Sequence, residues 1–293
     1  MYDMKELYEA GSIQEAIQLK LAHPKADIIA GGSDVLVQMR EGKLAGKELI
    51  SIYMIDEMRG ISIDENEAIR IGSLSSFSHI TKNEIIQKYI NVLGEAVDMV
   101  GGPQVRNIGT IGGNTCNGVT SADSASTLYA WDAIVELTGP EGVRRLPIKE
   151  FYIKAGVVDI RAGEIQTAII IPKESYEGYK GNYFKYTMRN AMDIATTGCS
   201  VNVKLSEDKK TIINARIAYG VAGPVPMRCP SAEAKANGQP ASIETAKIFA
   251  AAVLEDINPR DSWRASKAFR THIAVELAER CLIESIRLSG GEI

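Results

Sequence analysis

The sequence predicts an α+β protein in which a mixed, strand-rich part precedes a helical part. Short apolar runs bounded by glycine, proline and acidic turn residues recur up to about residue 221, and helical patterns lie between them in the first half. Two helical patterns then close the chain. With 293 residues, 45% of them hydrophobic and 24% charged, the chain is long enough for two domains, or for one large domain with subdomains.

Each element follows from a local pattern. Ser12-Ile13-Gln14-Glu15 has the form of a capping box, Gly31-Gly32 breaks an apolar run, and two hairpins are predicted around the turns at 64–66 and 139–142. In chain order, we predict a helix from 13 to about 23, a strand over 27–30, a helix to about 41, a hairpin of strands 61–63 and 68–71, helices over 76–88 and 91–100, an irregular glycine-rich stretch over 101–126, a helix to 131, a hairpin of strands 133–138 and 143–146, a strand over 164–171, strands over 182–188, 194–205 and 211–221, and helices over 243–256 and 264–288.

The polar segment KESYEGYKG at 173–181 contains two glycines and predicts the domain boundary. We therefore expect one domain over residues 1–176 and a second over residues 182–288.

Charge and composition exclude several classes of protein. With 33 Lys plus Arg, 37 Asp plus Glu and no basic run, the chain lacks the features of a nucleic-acid or anionic-membrane binder. No apolar stretch has the length of a membrane span, and the first residues lack the layout of a signal peptide. The four cysteines are too widely spaced for a disulfide framework or a local metal clip. We expect a cytoplasmic protein without a metal site.

The common catalytic motifs are absent. The sequence contains no G-x-G-x-x-G, no P-loop, no G-x-S-x-G, no H-E-x-x-H and no C-x-x-C, and its three histidines lie far apart. These absences argue against a zinc enzyme or a serine-triad hydrolase, and no residue is predicted to be catalytic.

A first glycine turn, AGGSD at residues 30–34, joins a predicted strand to a predicted helix. Paired glycines let a ligand approach the backbone closely, and amide N–H groups at the start of a helix attract an anion. The alternative is an ordinary strand-to-helix turn.

A second glycine turn, RNIGTIGGN at residues 106–114, has three glycines within five residues and continues into small, polar residues up to 124. Such a stretch predicts a run of free amide donors that would bind an anion. The alternative is a tight loop packed on itself. The two turns are about 80 residues apart, and we expect them to meet in space and hold the pyrophosphate of an extended dinucleotide from two sides.

Together with SADS at 121–124, these motifs strongly resemble the FAD-binding subunit of molybdenum-containing hydroxylases, most closely the separate FAD subunit of bacterial xanthine dehydrogenases. The resemblance continues through FKYTMRNAMDIATTG (184–198), YGVAGPVPMRC (219–229) and PRDSWRASKAFR (259–270), and so covers nearly the whole chain.

The resemblance implies a vanillyl-alcohol-oxidase (PCMH) type FAD domain with subdomains of about 1–55 and 56–176. A smaller flavoprotein C-terminal domain, with a three-stranded antiparallel sheet and helices, is implied to follow. It also implies an electron-transfer role during hypoxanthine or xanthine oxidation. Substrate would be hydroxylated at a molybdopterin centre on one partner subunit, and electrons would pass through 2Fe–2S clusters on another to FAD here and then to NAD+.

The resemblance also implies the residues that contact FAD. Asp123 would accept a hydrogen bond on the adenosine side, Ile165 would contact the cofactor through its backbone, and Lys185 would lie near the flavin ring. A lysine there would stabilise negative charge on the reduced ring. Val100 and Ile194 match positions that pack on that ring. The pyrophosphate and ribityl contacts would come from Asp27, Ile28, Ile29, Ala30, Gly31, Gly32, Ser33 and Asp34, and from Gly109, Thr110, Ile111, Gly112, Gly113 and Asn114.

Several readings stay open at this point. Lys185 could be a surface lysine, and Val100 and Ile194 could be plain core residues. The chain could instead serve a related hydroxylase acting on nicotinate, carbon monoxide or an aldehyde. It could also be a self-contained flavin reductase of the same fold, or a nucleotide-binding module without redox function.

Overall fold

The computed structural model describes residues 2–293. In chain order its elements are β1 (Met4–Glu9), α1 (Ile13–Ala22), β2 (Asp27–Ile29), α2 (Val35–Arg40), β3 (Lys47–Ser51), a 3-10 turn (Asp56–Met58), β4 (Ile61–Ile63), β5 (Ile69–Gly72), α3 (Phe77–Lys82), α4 (Glu84–Tyr89), α5 (Asn91–Asp98), α6 (Pro103–Ile108), α7 (Ile111–Cys116), α8 (Asp123–Ala130), β6 (Ile134–Gly139), β7 (Gly142–Pro147), α9 (Ile148–Phe151), β8 (Tyr152–Lys154), β9 (Val157–Val158), β10 (Ile165–Ile171), α10 (Lys173–Tyr176), β11 (Tyr179–Tyr186), β12 (Thr197–Leu205), β13 (Ile212–Gly220), β14 (Met227–Arg228), α11 (Pro230–Ala236), α12 (Ile243–Ala252), a 3-10 turn (Val253–Glu255) and α13 (Lys267–Leu288). Within residues 2–293, no helix combines the length and the apolar character needed to cross a membrane.

A small parallel sheet of order β1-β3-β2 opens the chain, with α1 and α2 as its connecting helices. The sequence did not predict β1 or β3. The side chains of β1 are almost all exposed, so this strand carries no apolar alternation. The predicted helix start is confirmed, since Ser12 Oγ accepts a hydrogen bond from Glu15 N–H at 3.1 Å. The Glu15 carboxylate, however, accepts from Gly11 N–H at 2.8 Å rather than from Ser12.

The second sheet is antiparallel, has five strands and follows the order β4-β5-β10-β6-β7. Both predicted hairpins are confirmed as β4–β5 and β6–β7. The central strand β10 is buried along its whole length, which explains its continuous apolar run.

The glycine-rich stretch is not irregular, and this prediction was wrong. Residues 101–126 contain α6, α7 and the start of α8. Helix α6 begins with Pro103 in its first turn, and α7 is capped by Thr110, whose side chain accepts from Gly113 N–H. Helices of six residues are too short to show a helical period, so in the sequence only their capping residues indicate them.

The C-terminal part contains a third sheet, antiparallel and of order β11-β12-β13-β14. Three strands were predicted, and the fourth, β14, is a two-residue edge strand. The strand predicted from residue 194 begins at Thr197, because residues 187–196 form a loop whose backbone amides at Met188 and Arg189 are held by the Asp193 carboxylate. The long final helix α13 begins at Lys267 rather than at the predicted residue 264, with Ser266 Oγ as its cap accepting from Phe269 N–H.

Three hydrophobic clusters form the core. One lies under the first sheet, one lies between the second sheet and helices α3, α5 and α8, and one lies between the third sheet and helices α12 and α13. The second cluster also contains Tyr179, Tyr183 and Ala218 from the third sheet. The third sheet therefore packs on both faces, and its inner face meets α8 along a seam between the two parts of the chain.

Candidate functional site

The two glycine turns lie against each other, as predicted. A β-carbon built on Gly31 would stand 1.7 Å from Ile108 O and 3.3 Å from Gly109 N. The first turn therefore packs directly on the backbone of the second, and only glycine leaves room for that approach.

The first turn offers unpaired donors. Among the described residues, the backbone N–H groups of Gly31, Gly32, Ser33 and Asp34 have no protein acceptor. Gly32 has a φ of +72°, a conformation that favours glycine, and Ser33 and Asp34 are exposed. Consecutive free amides at an exposed turn are the arrangement that binds a phosphate oxygen.

The second turn was predicted to be a run of free amide donors, and this prediction was wrong for most of its amides. Ile111 N–H donates to Ser75 O, Gly112 N–H to Ser73 O and Asn114 N–H to Thr110 O, at 2.8–3.1 Å. Gly113 N–H donates to Thr110 Oγ1. These amides donate to acceptors within the protein because the segment is a capped helix that packs on the second sheet. Within residues 2–293, the Thr110 N–H alone among the amides of residues 109–114 has no protein acceptor.

Polar contacts fix α7 from below. Thr115 Oγ1 and Cys116 Sγ each donate to Gln166 Oε1 at 2.9 Å, and Asn114 Oδ1 accepts from Ser124 Oγ at 2.5 Å. Burial raises the pKa of the Cys116 thiol to about 12, so it stays a neutral donor. The second turn is thus held rigidly, and its exposed residues are Asn107, Ile108 and Gly113.

Lys185 and Asp123 form a buried ion pair at the seam. Lys185 Nζ lies 2.8 Å from Asp123 Oδ2 and 2.9 Å from Met99 O, and each of the paired side chains is 7% exposed. Burial raises the pKa of the Asp123 carboxyl, whereas the Lys185 ammonium and the Tyr183 hydroxyl act to lower it. Lys185 is therefore a buried cation rather than a surface lysine.

This pair bears on two of the roles that the resemblance implies. The resemblance puts Asp123 on the adenosine side and Lys185 by the flavin ring, whereas the structure brings the two side chains into contact, 2.8 Å apart. If Lys185 faces the flavin ring, then Asp123 belongs to that same end.

Val100 lies next to the Lys185 contact. Arg106 Nη1 donates to the carbonyls of Val100 and Gly101 at 3.3 and 3.0 Å, and Nε lies 3.1 Å from Asp98 Oδ1. This supports the turn that presents Met99 O to Lys185. The 187–196 loop crosses the same turn, since a β-carbon on Gly102 would lie 3.4 Å from Met192 Cε.

The other predicted residues lie in different environments. Ile194 is half-exposed in that loop and Val100 is partly buried, so neither is a plain core residue. Ile165 is buried under the first sheet, which leaves only its backbone for a ligand. Asp27 Oδ2 is buried without a hydrogen bond, 3.7 Å from Lys47 Nζ, and residues 28–30 are partly buried.

Tyr183 was missed from the sequence. Its hydroxyl donates to Asp123 Oδ1 at 2.8 Å. The signal was available, because Tyr183 and Lys185 are two residues apart on β11 and alternate residues of a strand share a face.

Two glycine turns in contact, with free amides at their rim, and a buried ammonium at a seam define a two-part α+β protein built to bind an anionic cofactor. Residues 3–174 match the family described as FAD binding domain in molybdopterin dehydrogenase, and residues 182–285 match the CO dehydrogenase flavoprotein C-terminal domain. The chain belongs to the family of FAD-binding domains of molybdopterin dehydrogenases.

Relatives cover the chain from end to end. It is 38% identical over 293 residues to the xanthine dehydrogenase FAD-binding subunit of Escherichia coli O157:H7, with 100% of both chains covered. It is 30% identical to the nicotinate dehydrogenase FAD-subunit of Eubacterium barkeri, with 74% of each covered. Among solved structures, carbon monoxide dehydrogenase from Hydrogenophaga pseudoflava has a chain with a TM-score of 0.92 at 27% identity, with 99% of both chains covered.

Proposed function

We propose that this chain is the FAD-binding electron-transfer subunit of a xanthine-dehydrogenase-like molybdenum hydroxylase complex. It would pass electrons from iron–sulfur clusters of a partner subunit through FAD to NAD+ during hypoxanthine or xanthine oxidation. The observation that carries the proposal is the contact between the two glycine turns at Gly31 and Ile108, beside four amides that have no protein acceptor.

The residues present fit FAD. The amides of Gly31, Gly32, Ser33 and Asp34 would hold the pyrophosphate, with the rim of α7 opposite them. Lys185 would lie by the flavin ring, and Val100 and Ile194, which match ring-packing positions in the resemblance, would contact the same ring. When bound, FAD supplies reversible electron exchange, which the side chains of this protein do not provide.

The protein's own contribution is electrostatic. Lys185 places a buried positive charge, balanced by Asp123, where the ring gains negative charge. The turn held by Arg106 fixes the carbonyl that orients this ammonium.

The relatives support the proposed partners. The full-length similarity to a xanthine dehydrogenase FAD-binding subunit supports an iron–sulfur subunit and a molybdopterin subunit as partners, and purines as the oxidised substrate. NAD+ as the acceptor and a cytoplasmic location belong to the same proposal. All four cysteines are free thiols, as is usual in a reducing compartment.

Expression of the chain alone and then with its partner subunits tests the proposal. We expect the isolated chain to carry a flavin spectrum that NADH bleaches under anaerobic conditions, without purine oxidation. The reconstituted complex should reduce NAD+ with xanthine or hypoxanthine. A chain that binds no FAD would refute the cofactor assignment. A complex that oxidises nicotinate but not purines would refute the substrate.

A further inference from the structure

Tyr183 forms the inner end of a three-residue hydrogen-bonded chain. Its hydroxyl donates to one oxygen of Asp123 at 2.8 Å, and the other oxygen accepts from Lys185 Nζ at 2.8 Å. Tyr183 and Lys185 lie on β11, whereas Asp123 begins α8 on the other side of the seam. One carboxylate therefore joins the tyrosine to the lysine that faces the proposed flavin position.

The Tyr183 hydroxyl occupies a space that a neighbouring glycine leaves open. Tyr183 is buried, and a β-carbon on Gly198 of the neighbouring strand would stand 3.0 Å from its oxygen. The glycine on β12 thus leaves the room that the hydroxyl occupies, and any side chain there would press it out of position.

The charge state of Asp123 depends on few groups. Lys185 and Tyr183 face it from β11, and these are the groups that stabilise the carboxylate. Behind Tyr183 lie the buried thiols of Cys199 on β12 and Cys281 on α13. Burial raises the pKa of both the Cys199 thiol and the Tyr183 hydroxyl well above their ordinary values. Tyr183 therefore remains a neutral hydrogen-bond donor.

We propose that Tyr183 is a positioning residue whose hydroxyl holds the Asp123 carboxylate ionised and in place, so that Lys185 presents a balanced charge to the flavin. Only the part of this inference that concerns the flavin rests on the FAD function proposed above. Without the hydroxyl, one buried carboxylate oxygen loses its donor and protonation becomes easier. A neutral Asp123 would leave the Lys185 charge uncompensated, and an uncompensated cation would raise the flavin potential.

A carboxyl titration of the full-length chain tests the first part without FAD. Aspartate is labelled with 13C at Cγ, and the Asp123 resonance is identified by its loss in Asp123→Asn. Removing a hydrogen bond to a charged group should raise the Asp123 midpoint in Tyr183→Phe by about one pH unit or more. Tyr179→Phe is the matched control. Tyr179 is a buried tyrosine on the same strand, but its hydroxyl donates to Asn214 Oδ1 at 2.9 Å. This control should leave the Asp123 midpoint unchanged.

Identical titration curves in the wild type and Tyr183→Phe, or an equal shift in Tyr179→Phe, would overturn the inference. If Tyr183→Phe does not fold, Gly198→Ala displaces the same hydroxyl while keeping the ring, and the same outcomes apply. On FAD-loaded protein, the break in flavin potential against pH should move with the Asp123 midpoint and vanish in Asp123→Asn. A protein that binds no FAD would refute the proposed function, whereas the carboxyl titration would still decide the role of Tyr183.

Discussion

Gly112 packs on Ser73, and a β-carbon on the glycine would lie 2.5 Å from Ser73 Cβ and 2.8 Å from Ser73 O. This contact docks α7 on the loop after β5, where Gly112 N–H also donates to Ser73 O at 2.8 Å. The lack of a side chain at Gly112 therefore serves the packing of α7 on this loop. Its neighbour Gly113 is exposed, and a β-carbon there would approach only Thr110 Oγ1, at 2.9 Å.

Alanine at these two glycines should separate folding from cofactor binding. We expect Gly112→Ala to lower the free energy of unfolding by about 1–3 kcal/mol, since the new methyl overlaps a backbone oxygen. Gly113→Ala should stay within about 1 kcal/mol of the wild type, because a gain in helix propensity offsets a small shift of the cap. Its FAD affinity should nevertheless fall. Chemical denaturation and FAD titration of both variants measure this, and equal stability losses would contradict the assignment.

Alanine at Gly31 should push the two turns apart. The methyl would collide with Ile108 O, which cannot move without displacing α6, so we expect a loss of FAD binding and a destabilisation of about 2 kcal/mol or more. Gly11→Ala is the matched control in the same N-terminal part of the chain, where the nearest atom would be Glu15 Oε2 at an ordinary 3.5 Å. Retained FAD binding in Gly31→Ala would show that the contact between the turns is not needed for the cofactor.

The sequence predicted the elements whose patterns are local. Hairpins β4–β5 and β6–β7 and the Ser12 cap follow from turn residues and capping chemistry, and all are confirmed. Strand β1 and helices α6 and α7 escaped prediction. An exposed parallel strand takes its partner from β3, over 35 residues away, and a six-residue helix is too short to display a period.

In the candidate site, too, local features could be predicted from the sequence and contacts between distant residues could not. The glycines themselves marked both turns, but the partners of their amides lie outside the turns, on Ser73 and Ser75. The sequence therefore could not tell a free amide from a used one. Likewise, the pairing of Asp123 with Lys185 joins residues 62 positions apart, and only packing decides it.

Arg144 should give the protein part of its acid sensitivity. Its guanidinium donates to the Glu164 carboxylate at 2.7 and 2.9 Å and to Asp159 at 2.7 Å. The Arg144 hydrogen bond holds the pKa of Glu164 below its ordinary 4.5. A depressed carboxyl pKa adds stability above that ordinary value, and the gain is lost as pH falls through the folded-state pKa.

Arg144→Met should therefore lower the free energy of unfolding by about 2 kcal/mol at pH 7. This difference in unfolding free energy between the variant and the wild type should become smaller below about pH 4.5. The control is Arg280→Met, which breaks an exposed pair with Glu276 at 3.4 Å and should change stability by less than about 0.5 kcal/mol. Guanidinium denaturation across pH 3–8 checks both. A gap that stays constant with pH would show that Glu164 does not depend on Arg144.

The buried pair at the seam should show strong coupling in the protein without FAD. Lys185→Met leaves the Asp123 carboxylate in an apolar setting without its counter-ion and should cost about 3 kcal/mol at pH 7. Adding Asp123→Asn removes the stranded charge, so the double variant should lose less than the sum of the two single losses, by about 1–3 kcal/mol. The exposed pair Lys43 and Glu41, at 2.8 Å, is the control cycle and should show far weaker coupling than the buried pair, because water screens it. Urea denaturation of all variants gives both couplings. Additive losses at Lys185 and Asp123 would mean that the lysine does not need this carboxylate, and the flavin end of the site would then have to be placed elsewhere along the seam.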